Sequence, residues 1–249
     1  MSLNRRIERT CLVLLCILTV AVVGCGLLTT LEASGTKGVD YNALQTNRYA
    51  VEVTQTKEYT LYLPEAEGVT WGFLFYVGTA LPPENYDVLL RAVAGAGFAV
   101  GVSKNALADL MYREEEPIYA ALGLQRYIIA GHSQGGGAAI RRAAENPATT
   151  KGCVLYSPMI VNDATLAGSA LPMLYFEAEN DTVLSDAIKA VAKSRMNAGR
   201  RYALLEGANH MCYGEMEFFG DGVNERDKAE IQQEVIDRTI AFLQSVTGD

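Results

Sequence analysis

The spacing of hydrophobic positions changes along the chain. Residues 49–54 and 59–63 alternate apolar and polar side chains, which is typical of strands with one buried face. Because only a short polar stretch separates them, we expect an antiparallel hairpin at the edge of a sheet. From residue 72 onward the apolar runs become continuous, as in a parallel sheet that is covered on both faces.

Strand-like and helix-like segments then alternate to the end of the chain. The predicted strands cover residues 72–77, 98–102, 124–130, 152–156, 173–177 and 202–205, and the predicted helices cover residues 83–94, 106–122, 136–144, 183–196 and 226–246. This order predicts an α/β fold with a mostly parallel sheet, right-handed crossovers and helices on both faces.

Two of the predicted helices carry an apolar stripe. The helix at 183–196 places Leu184, Ile188 and Val191 on one face. In the last helix, the side chains expected to face inward are Ile231, Val235, Thr239, Phe242 and Val246. Both helices should therefore pack against the sheet.

The first 31 residues differ from the rest. Three arginines among the first nine residues precede an uncharged, largely apolar stretch that ends at residue 31, which predicts a signal sequence or membrane anchor. Residues 10–31 could form one spanning helix with its arginines in the cytoplasm. Alternatively, residues 22–25 (Val-Val-Gly-Cys) resemble a bacterial lipobox, with a signal at 1–24 and lipidation at Cys25. Both alternatives predict a membrane-tethered protein whose globular part lies outside the cytoplasm.

Small and polar residues at 32–46 predict a linker, which leaves one domain at residues 47–249. With 249 residues, 49% of them apolar, the chain can bury one core of ordinary size. Its net charge is −8, and removal of residues 1–24 would enlarge the acidic excess. Such a surface repels nucleic acid, so we expect no nucleic-acid partner.

Cysteine and histidine are too few for a framework of disulfides or metals. Only Cys153 and Cys212 follow the N-terminal segment, and we expect no bond between them because their predicted positions differ in height. The chain has two histidines and no Cys-x-x-Cys, so we predict no metal site. Nothing in the sequence calls for a cofactor.

The most informative motif is at residues 131–135, which read Gly-His-Ser-Gln-Gly. It lies between a predicted strand and a predicted helix, as a nucleophile elbow does. The serine of such an elbow sits on a strained, tight turn, and only glycine-sized neighbours let the strand and helix close around it. Ser133 is therefore the predicted nucleophile.

A serine hydroxyl needs a base to take its proton, and near neutral pH imidazole suits that task. His132 is next to Ser133 on the elbow, where neighbouring side chains diverge, so we expect a packed residue there. His210, directly after the last predicted strand, is the remaining candidate. The acid should follow the penultimate strand, which favours Asp181 with Glu179 as its competitor.

Attack by the serine creates negative charge on the substrate oxygen, which two backbone N–H groups can stabilise. The first should belong to Gln134, the residue after the nucleophile. The second should come from the loop after the strand at 72–77, where Thr79 is favoured and Ala80 is the alternative. Gly78 would let this backbone approach a substrate closely.

The interval after the strand at 152–156 is short. Residues 157–171 form a connection of 15 residues, too few for a folded cap domain. We therefore expect an open, shallow cleft bordered by Thr79, Met159, Ile160 and a loop at 211–219 that begins with Met211. Activity should fall for acyl chains longer than about six to eight carbons, since each buried CH₂ contributes at most ~0.8 kcal/mol and only where a wall exists.

These motifs together resemble the α/β hydrolases and, more narrowly, the compact bacterial group called α/β hydrolase family 5, over residues 71–242. Beyond the elbow, the likeness rests on residues 75–79 (Phe-Tyr-Val-Gly-Thr), Tyr86, Asn180-Asp181, Asn209-His210, Tyr213-Gly214, Gly220-Asp221-Gly222 and Gln232-Gln233. The chain departs from the family at Val77, where proline is common, and at Gln134, where leucine is frequent. The resemblance implies an α/β-hydrolase fold and a triad of Ser133, Asp181 and His210.

The expected function is a serine hydrolase, resembling carboxylesterases, that cleaves small-molecule esters or thioesters through an acyl-enzyme without a cofactor. One alternative is a non-catalytic binding protein with the same fold. Another is an exopeptidase, which would need a charged pocket for a peptide terminus that the sequence does not display.

Overall fold

A computed structural model describes residues 48–104 and 115–248 of the chain. The predicted N-terminal segment at 1–31, with Cys25, and the predicted linker at 32–46 lie outside the described residues, as do residues 106–114 of the predicted helix at 106–122. Among the helices that are described, none combines the length and the hydropathy needed to cross a membrane.

Strands and helices alternate through most of the described chain. The strands are β1 (Val51–Gln55), β2 (Tyr59–Pro64), β3 (Gly72–Tyr76), β4 (Ala99–Ser103), β5 (Tyr127–His132), β6 (Thr150–Tyr156), β7 (Met173–Ala178) and β8 (Arg201–Leu205). The helices are α1 (Asp87–Gly95), α2 (Glu116–Leu122), α3 (Gln134–Glu145), α4 (Asp186–Arg195) and α5 (Lys228–Thr247), and a 3₁₀ turn at Pro83–Tyr86 leads into α1.

The eight strands form one sheet in the order β1-β2-β4-β3-β5-β6-β7-β8. The pairs β1–β2 and β2–β4 are antiparallel, whereas every later pair is parallel. The predicted parallel sheet with an antiparallel hairpin at its edge is therefore confirmed. The parallel strands β3 to β7 are almost wholly buried, which explains their continuous apolar runs.

Helices cover both faces of the sheet. Neighbouring residues of a strand point to opposite faces, and the last two residues of β3 show what each face meets. Phe75 packs on the Tyr156 ring at 5.9 Å between centroids, and the Tyr156 hydroxyl is 3.0 Å from Thr239 Oγ1 of α5. On the other face, Tyr76 donates a hydrogen bond to Glu115, directly before α2.

The predicted inward stripe of the last helix is confirmed, but that of the preceding helix is wrong. Leu184 is buried yet precedes α4, and Val191 is 44% exposed while its neighbour Ala192 is buried. The shift arises because Asp181 Oδ1 accepts the N–H groups of Val183 and Leu184, so a turn occupies these positions and the helix begins at residue 186.

Backbone strain concentrates at the carboxyl edge of the sheet. Three non-glycine residues in the described chain have positive φ: Ala80 (58°), Ser133 (54°) and Ser157 (38°). They follow β3, β5 and β6, which are adjacent or near neighbours in the sheet. Residues 157–172, between β6 and β7, contain no helix or strand, so no cap domain is inserted there. Strained residues cluster at functional sites, and this edge is the place to search for one.

Candidate active site

The elbow at residues 131–135 connects β5 to α3. Ser133 has φ 54° and ψ −125°, a conformation that L-residues rarely adopt. A Cβ on Gly131 would lie 2.2 Å from the Gly135 oxygen, and a Cβ on Gly135 would lie 2.2 Å from the Tyr76 oxygen. Glycine is therefore required at both positions for the strand, the turn and the helix to meet.

Backbone hydrogen bonds fix Ser133 from both sides. Its N–H donates to the Tyr156 oxygen at 3.0 Å, and its own oxygen accepts the Met159 N–H at 2.7 Å. Ser133 is 9% exposed, so only a small part of it can be reached from solvent. These contacts hold the strained turn in place and anchor it to the end of β6.

Asp181 and His210 meet in a buried pair. The distance from His210 Nδ1 to Asp181 Oδ2 is 2.8 Å, and both side chains are nearly inaccessible. The competing acid, Glu179, is exposed and instead accepts the Gly207 N–H at 2.8 Å. The structure thus brings Asp181 rather than Glu179 to His210.

The surroundings of Asp181 favour its ionised form. Burial raises the pKa of the Asp181 carboxyl, but the hydrogen bond and positive charge of His210, the Leu184 N–H and nearby Lys189 outweigh burial and hold the pKa below its ordinary value. A carboxylate can only accept, so His210 Nδ1 carries the proton of this bond. In the neutral ring, Nε2 is then left as an acceptor.

His210 Nε2 is buried and has no hydrogen-bond partner within the described residues. No hydrogen bond joins it to Ser133 in this structure. Catalytic hydrogen bonds are often longer without substrate and tighten when it binds. Ser133 nevertheless lies near His210 in space, because it directly follows His132, whose ring centroid is 4.7 Å from that of His210. The predicted base thus has one free nitrogen beside the elbow.

The two predicted oxyanion donors lie next to each other. The Thr79 hydroxyl donates a hydrogen bond to the Gln134 side-chain oxygen, which ties the loop after β3 to the elbow. Gln134 is the first residue of α3, so its N–H has no acceptor inside the helix. The Thr79 N–H donates to no other described residue, whereas the preceding N–H of Gly78 donates to the Tyr86 oxygen at 3.0 Å. Ala80, the alternative, has the strained φ of 58°.

The three predicted pocket residues are buried, and two of them adjoin predicted site residues. Gln134 Nε2 lies 3.8 Å from Met159 Sδ, and Met211 follows the base directly. Met159, Ile160 and Met211 are 6%, 5% and 4% exposed, respectively. These side chains therefore present little surface to solvent in the absence of substrate.

A segment that sequence reasoning left without a role joins the acid and base loops. In residues 218–225, the Val223 oxygen accepts from Asn180 Nδ2 at 3.0 Å, and the Gly222 oxygen accepts from Asn209 Nδ2 at 2.9 Å. A Cβ on Gly222 would lie 1.8 Å from the Asn180 oxygen, so glycine is required for this close approach. The Gly220-Asp221-Gly222 cluster was the available sequence signal.

Asp221 of this segment supports the base loop. Its Oδ2 accepts the Met211 N–H at 2.9 Å, and its Oδ1 accepts the Gly222 N–H at 2.8 Å. Burial raises the pKa of the Asp221 carboxyl, against the opposing effects of the His210 charge and of these N–H groups. His210 is therefore held between two acidic side chains, one at its ring and one beside its backbone.

Comparisons with known proteins agree with this geometry. The sequence model of the alpha/beta hydrolase family matches residues 72–234. A similar solved structure, that of a predicted CIB-like hydrolase from Thermoplasma acidophilum, aligns with a TM-score of 0.59 and 17% sequence identity over 79% of this chain and 98% of that chain. At this identity the likeness shows the fold alone. No curated protein matches the sequence. The family match spans the elbow, Asp181 and His210 on the fold expected of it, and the chain belongs to the alpha/beta hydrolase family.

Proposed function

We propose that this hydrolase cleaves carboxylic esters or thioesters through an acyl-enzyme formed on Ser133. The observation that carries the proposal is the buried His210, whose Nδ1 is bound to Asp181 while Nε2 has no partner within the described residues. An unpaired, buried nitrogen costs stability, and its presence in a folded protein is explained if it has a function. Beside a strained serine elbow, that task is to accept the serine proton.

The proposed reaction has two halves. Ser133 Oγ attacks the carbonyl carbon of the substrate while its proton passes to His210 Nε2. The tetrahedral intermediate then collapses, and the alcohol or thiol leaves with that proton. Water attacks the acyl-enzyme by the same route, its proton passing through His210 back to Ser133 as the acid departs. Atoms and protons balance without a metal or cofactor.

The Asp181 carboxylate and two backbone N–H groups stabilise the charges that develop. Asp181 stays ionised because the balance of its contacts lowers its pKa, and it stabilises the imidazolium that forms on His210. The N–H groups of Gln134 and Thr79 hold the oxyanion. The hydrogen bond between their side chains sets the spacing of these two donors before the substrate arrives.

We propose small substrates with short acyl chains. The connection between β6 and β7 holds no helix or strand, and the side chains of Met159, Ile160 and Met211 are already buried against the site. With no cap domain above it, we expect the substrate site to be an open cleft that offers few walls to a long acyl chain. Activity should decline beyond about six to eight carbons, because additional CH₂ groups stay in water. A preference for long chains with interfacial activation would contradict this.

A panel of p-nitrophenyl esters of increasing acyl length, with thioesters and aminoacyl p-nitroanilides beside them, tests the reaction class. We expect turnover of short esters or thioesters by the wild-type protein and none by Ser133→Ala. Faster cleavage of the anilides would favour an exopeptidase. Folded protein without turnover of any of these substrates would favour the non-catalytic alternative.

We also propose that the N-terminal segment tethers the enzyme to the membrane, with the domain outside the cytoplasm. The support is the sequence pattern of residues 1–31. Metabolic labelling with a palmitate analogue separates the two forms of anchor. Label that is lost in Cys25→Ala would identify a lipoprotein, whereas an unlabelled chain of full mass in the membrane fraction would identify a spanning helix.

A further inference from the structure

A buried chain of hydrogen bonds runs from the oxyanion loop to the base loop. The Gly78 N–H lies 3.0 Å from the Tyr86 hydroxyl oxygen, and that oxygen lies 2.8 Å from His132 Nδ1. At the other side of the same ring, His132 Nε2 lies 3.0 Å from the His210 carbonyl oxygen. Neither Tyr86 nor His132 exposes any surface to solvent.

The donor and the acceptor of each of these three hydrogen bonds can be assigned. The His210 carbonyl can only accept, so the proton is on His132 Nε2. Burial lowers the pKa of His132 well below its ordinary value, and the charge of His210 lowers it further, so the ring is neutral and Nδ1 is an acceptor. Tyr86 must then donate to Nδ1. Burial raises the pKa of Tyr86, which keeps that hydroxyl protonated, and its oxygen accepts from Gly78.

We propose that Tyr86 and His132 are positioning residues. Their hydrogen bonds, here called the relay, fix the position of the Thr79 N–H relative to the His210 imidazole, so that both can act together with Ser133. The inference rests on the proposed function, since it assigns these residues to the same site. One end of the relay fixes the backbone directly before Thr79. The other end fixes the backbone of the base itself. The relay therefore sets the distance between the groups that must act together on one carbonyl.

The close packing around Gly78 shows how tightly the relay is built. A Cβ at this position would come within 3.0 Å of His132 Nδ1 and 3.2 Å of the Tyr86 hydroxyl. A larger residue would require these side chains to shift, whereas glycine lets the loop approach both without displacing them. The rings of Phe75 and Tyr213 lie 4.8 Å from Tyr86 and 5.2 Å from His132, respectively, and they complete the enclosure.

The neutral charge of His132 also matters during the reaction. When His210 accepts the serine proton it becomes cationic, and the His132 ring is only 4.7 Å away. A second imidazolium there would oppose this step by repulsion. Because the same charge lowers the pKa of His132, its ring stays neutral and keeps its hydrogen bonds while the proton passes to His210 and back.

Tyr86→Phe removes the central oxygen of the relay with little change of shape. Tyr175→Phe is a matched control, because Tyr175 is equally buried and donates one hydrogen bond, to Glu177 at 2.7 Å, on β7. With p-nitrophenyl acetate, we expect Tyr86→Phe to lower kcat by about 10- to 100-fold with KM changed less than about twofold. Tyr175→Phe should keep the wild-type kcat at a similar melting temperature. Equal kcat in the two variants, or a loss confined to KM, would overturn the proposal.

His132→Asn tests the other half, and replaces the first variant if that one does not fold. Its side-chain oxygen can still accept from Tyr86, but its shorter side chain does not span to the His210 carbonyl. We expect a loss of kcat similar to that of Tyr86→Phe. A wild-type rate in folded His132→Asn would contradict the relay.

A spectroscopic measurement separates this proposal from the proposed reaction. The chain has two histidines, so ¹⁵N-histidine labelling yields two imidazole spin systems. We expect His132 to remain the neutral Nε2–H tautomer at pH values where an ordinary histidine becomes charged, because burial lowers its pKa. We expect Tyr86→Phe to shift the ring signals of both histidines while Tyr175→Phe shifts neither. Unchanged His210 signals in Tyr86→Phe would overturn the relay even if the esters are not substrates. Absence of any wild-type turnover with the expected spectra would refute the reaction and leave the relay standing.

Discussion

Two buried pairs in this domain, each formed by a carboxylate and a nitrogen-containing side chain, differ in how completely their polar atoms are satisfied by hydrogen bonds. On one face of the sheet, Arg142 Nη1 lies 2.5 Å from Glu115 Oε1, and Tyr76 donates to the other Glu115 oxygen. Arg142 Nε in turn donates to the Tyr119 hydroxyl at 3.0 Å. At the carboxyl edge, His210 is paired with Asp181, but its Nε2 has no partner among the described residues.

The two pairs also differ in electrostatics. Burial raises the pKa of Glu115 despite the hydrogen bond from Tyr76 and the charge of Arg142. For Asp181, the contacts with His210 and with the Leu184 N–H outweigh burial and lower the pKa. The Glu115–Arg142 pair, whose polar atoms have hydrogen-bond partners, connects strand β3 with helices α2 and α3. The Asp181–His210 pair leaves one acceptor without a partner among the described residues, which is why we propose it, and not the Glu115–Arg142 pair, as the acceptor of the serine proton.

The largest expected effect is on rate. His210→Ala should lower kcat for p-nitrophenyl acetate by about 10⁴-fold or more, because it removes the proposed base for Ser133. Steady-state kinetics beside chemical denaturation would show this loss without a matching loss of stability. Activity within about tenfold of wild type would mean that another group takes the serine proton.

For the pair of Glu115 and Arg142, we expect a loss of stability without a loss of rate. Arg142→Met leaves the Glu115 carboxylate buried without its cation, which should lower the free energy of unfolding by about 3–5 kcal/mol. The kcat of the folded fraction should stay near the wild-type value. Adding Glu115→Gln removes the unpaired charge and should recover part of the stability. If Arg142→Met instead lost activity while remaining stable, the division between the two pairs would fail.

A smaller effect concerns pH and stability. Because the folded-state pKa of Asp181 is lowered, its ionised form stabilises the fold above the ordinary carboxyl range, and this contribution is lost as the pH falls through the folded pKa. Asp181→Asn should therefore be less stable than wild type by about 1–2 kcal/mol at pH 7, and the difference should shrink at a second, acidic pH below the ordinary carboxyl range. Urea unfolding at the two pH values measures the difference. A gap that is constant with pH would show that the charge of Asp181 contributes nothing.

The contribution of Glu115 to stability should depend on pH in the opposite direction. Its folded-state pKa is raised, so proton uptake favours the folded state and this contribution is lost as the pH rises through the folded pKa. Measured against Glu115→Gln, wild type should gain relative stability on acidification. The same urea series at falling pH tests this, and a loss of relative stability for wild type would contradict it.

Much of the fold could be predicted because it follows from local patterns. The continuous apolar runs and the alternation with helices gave the parallel sheet, and the glycines around Ser133 indicated the elbow. His210 was identified as a candidate by elimination, since the chain has only two histidines. Asp181 followed from chain order. Each of these inferences uses neighbours in sequence or a small set of candidates.

The remaining features depend on contacts between distant residues. Tyr86 and His132 are 46 residues apart, and no local pattern indicates that their side chains meet. The exposed Val191 shows the same limit, because the position of α4 is set by the capping contacts of Asp181 rather than by the apolar spacing. The contacts of Asp221 could not be predicted either, because they join segments that are not adjacent in the sequence.

The most direct test of the account is the reactivity of Ser133. An irreversible fluorophosphonate probe, applied to the purified protein and followed by peptide mapping, should modify Ser133 alone. The label should be absent from Ser133→Ala, nearly absent from His210→Ala, and retained in the folded fraction of Arg142→Met. Folded wild-type protein that remains unlabelled, or a label on another serine, would contradict the proposal that the strained elbow and the unpaired Nε2 of His210 form one catalytic unit.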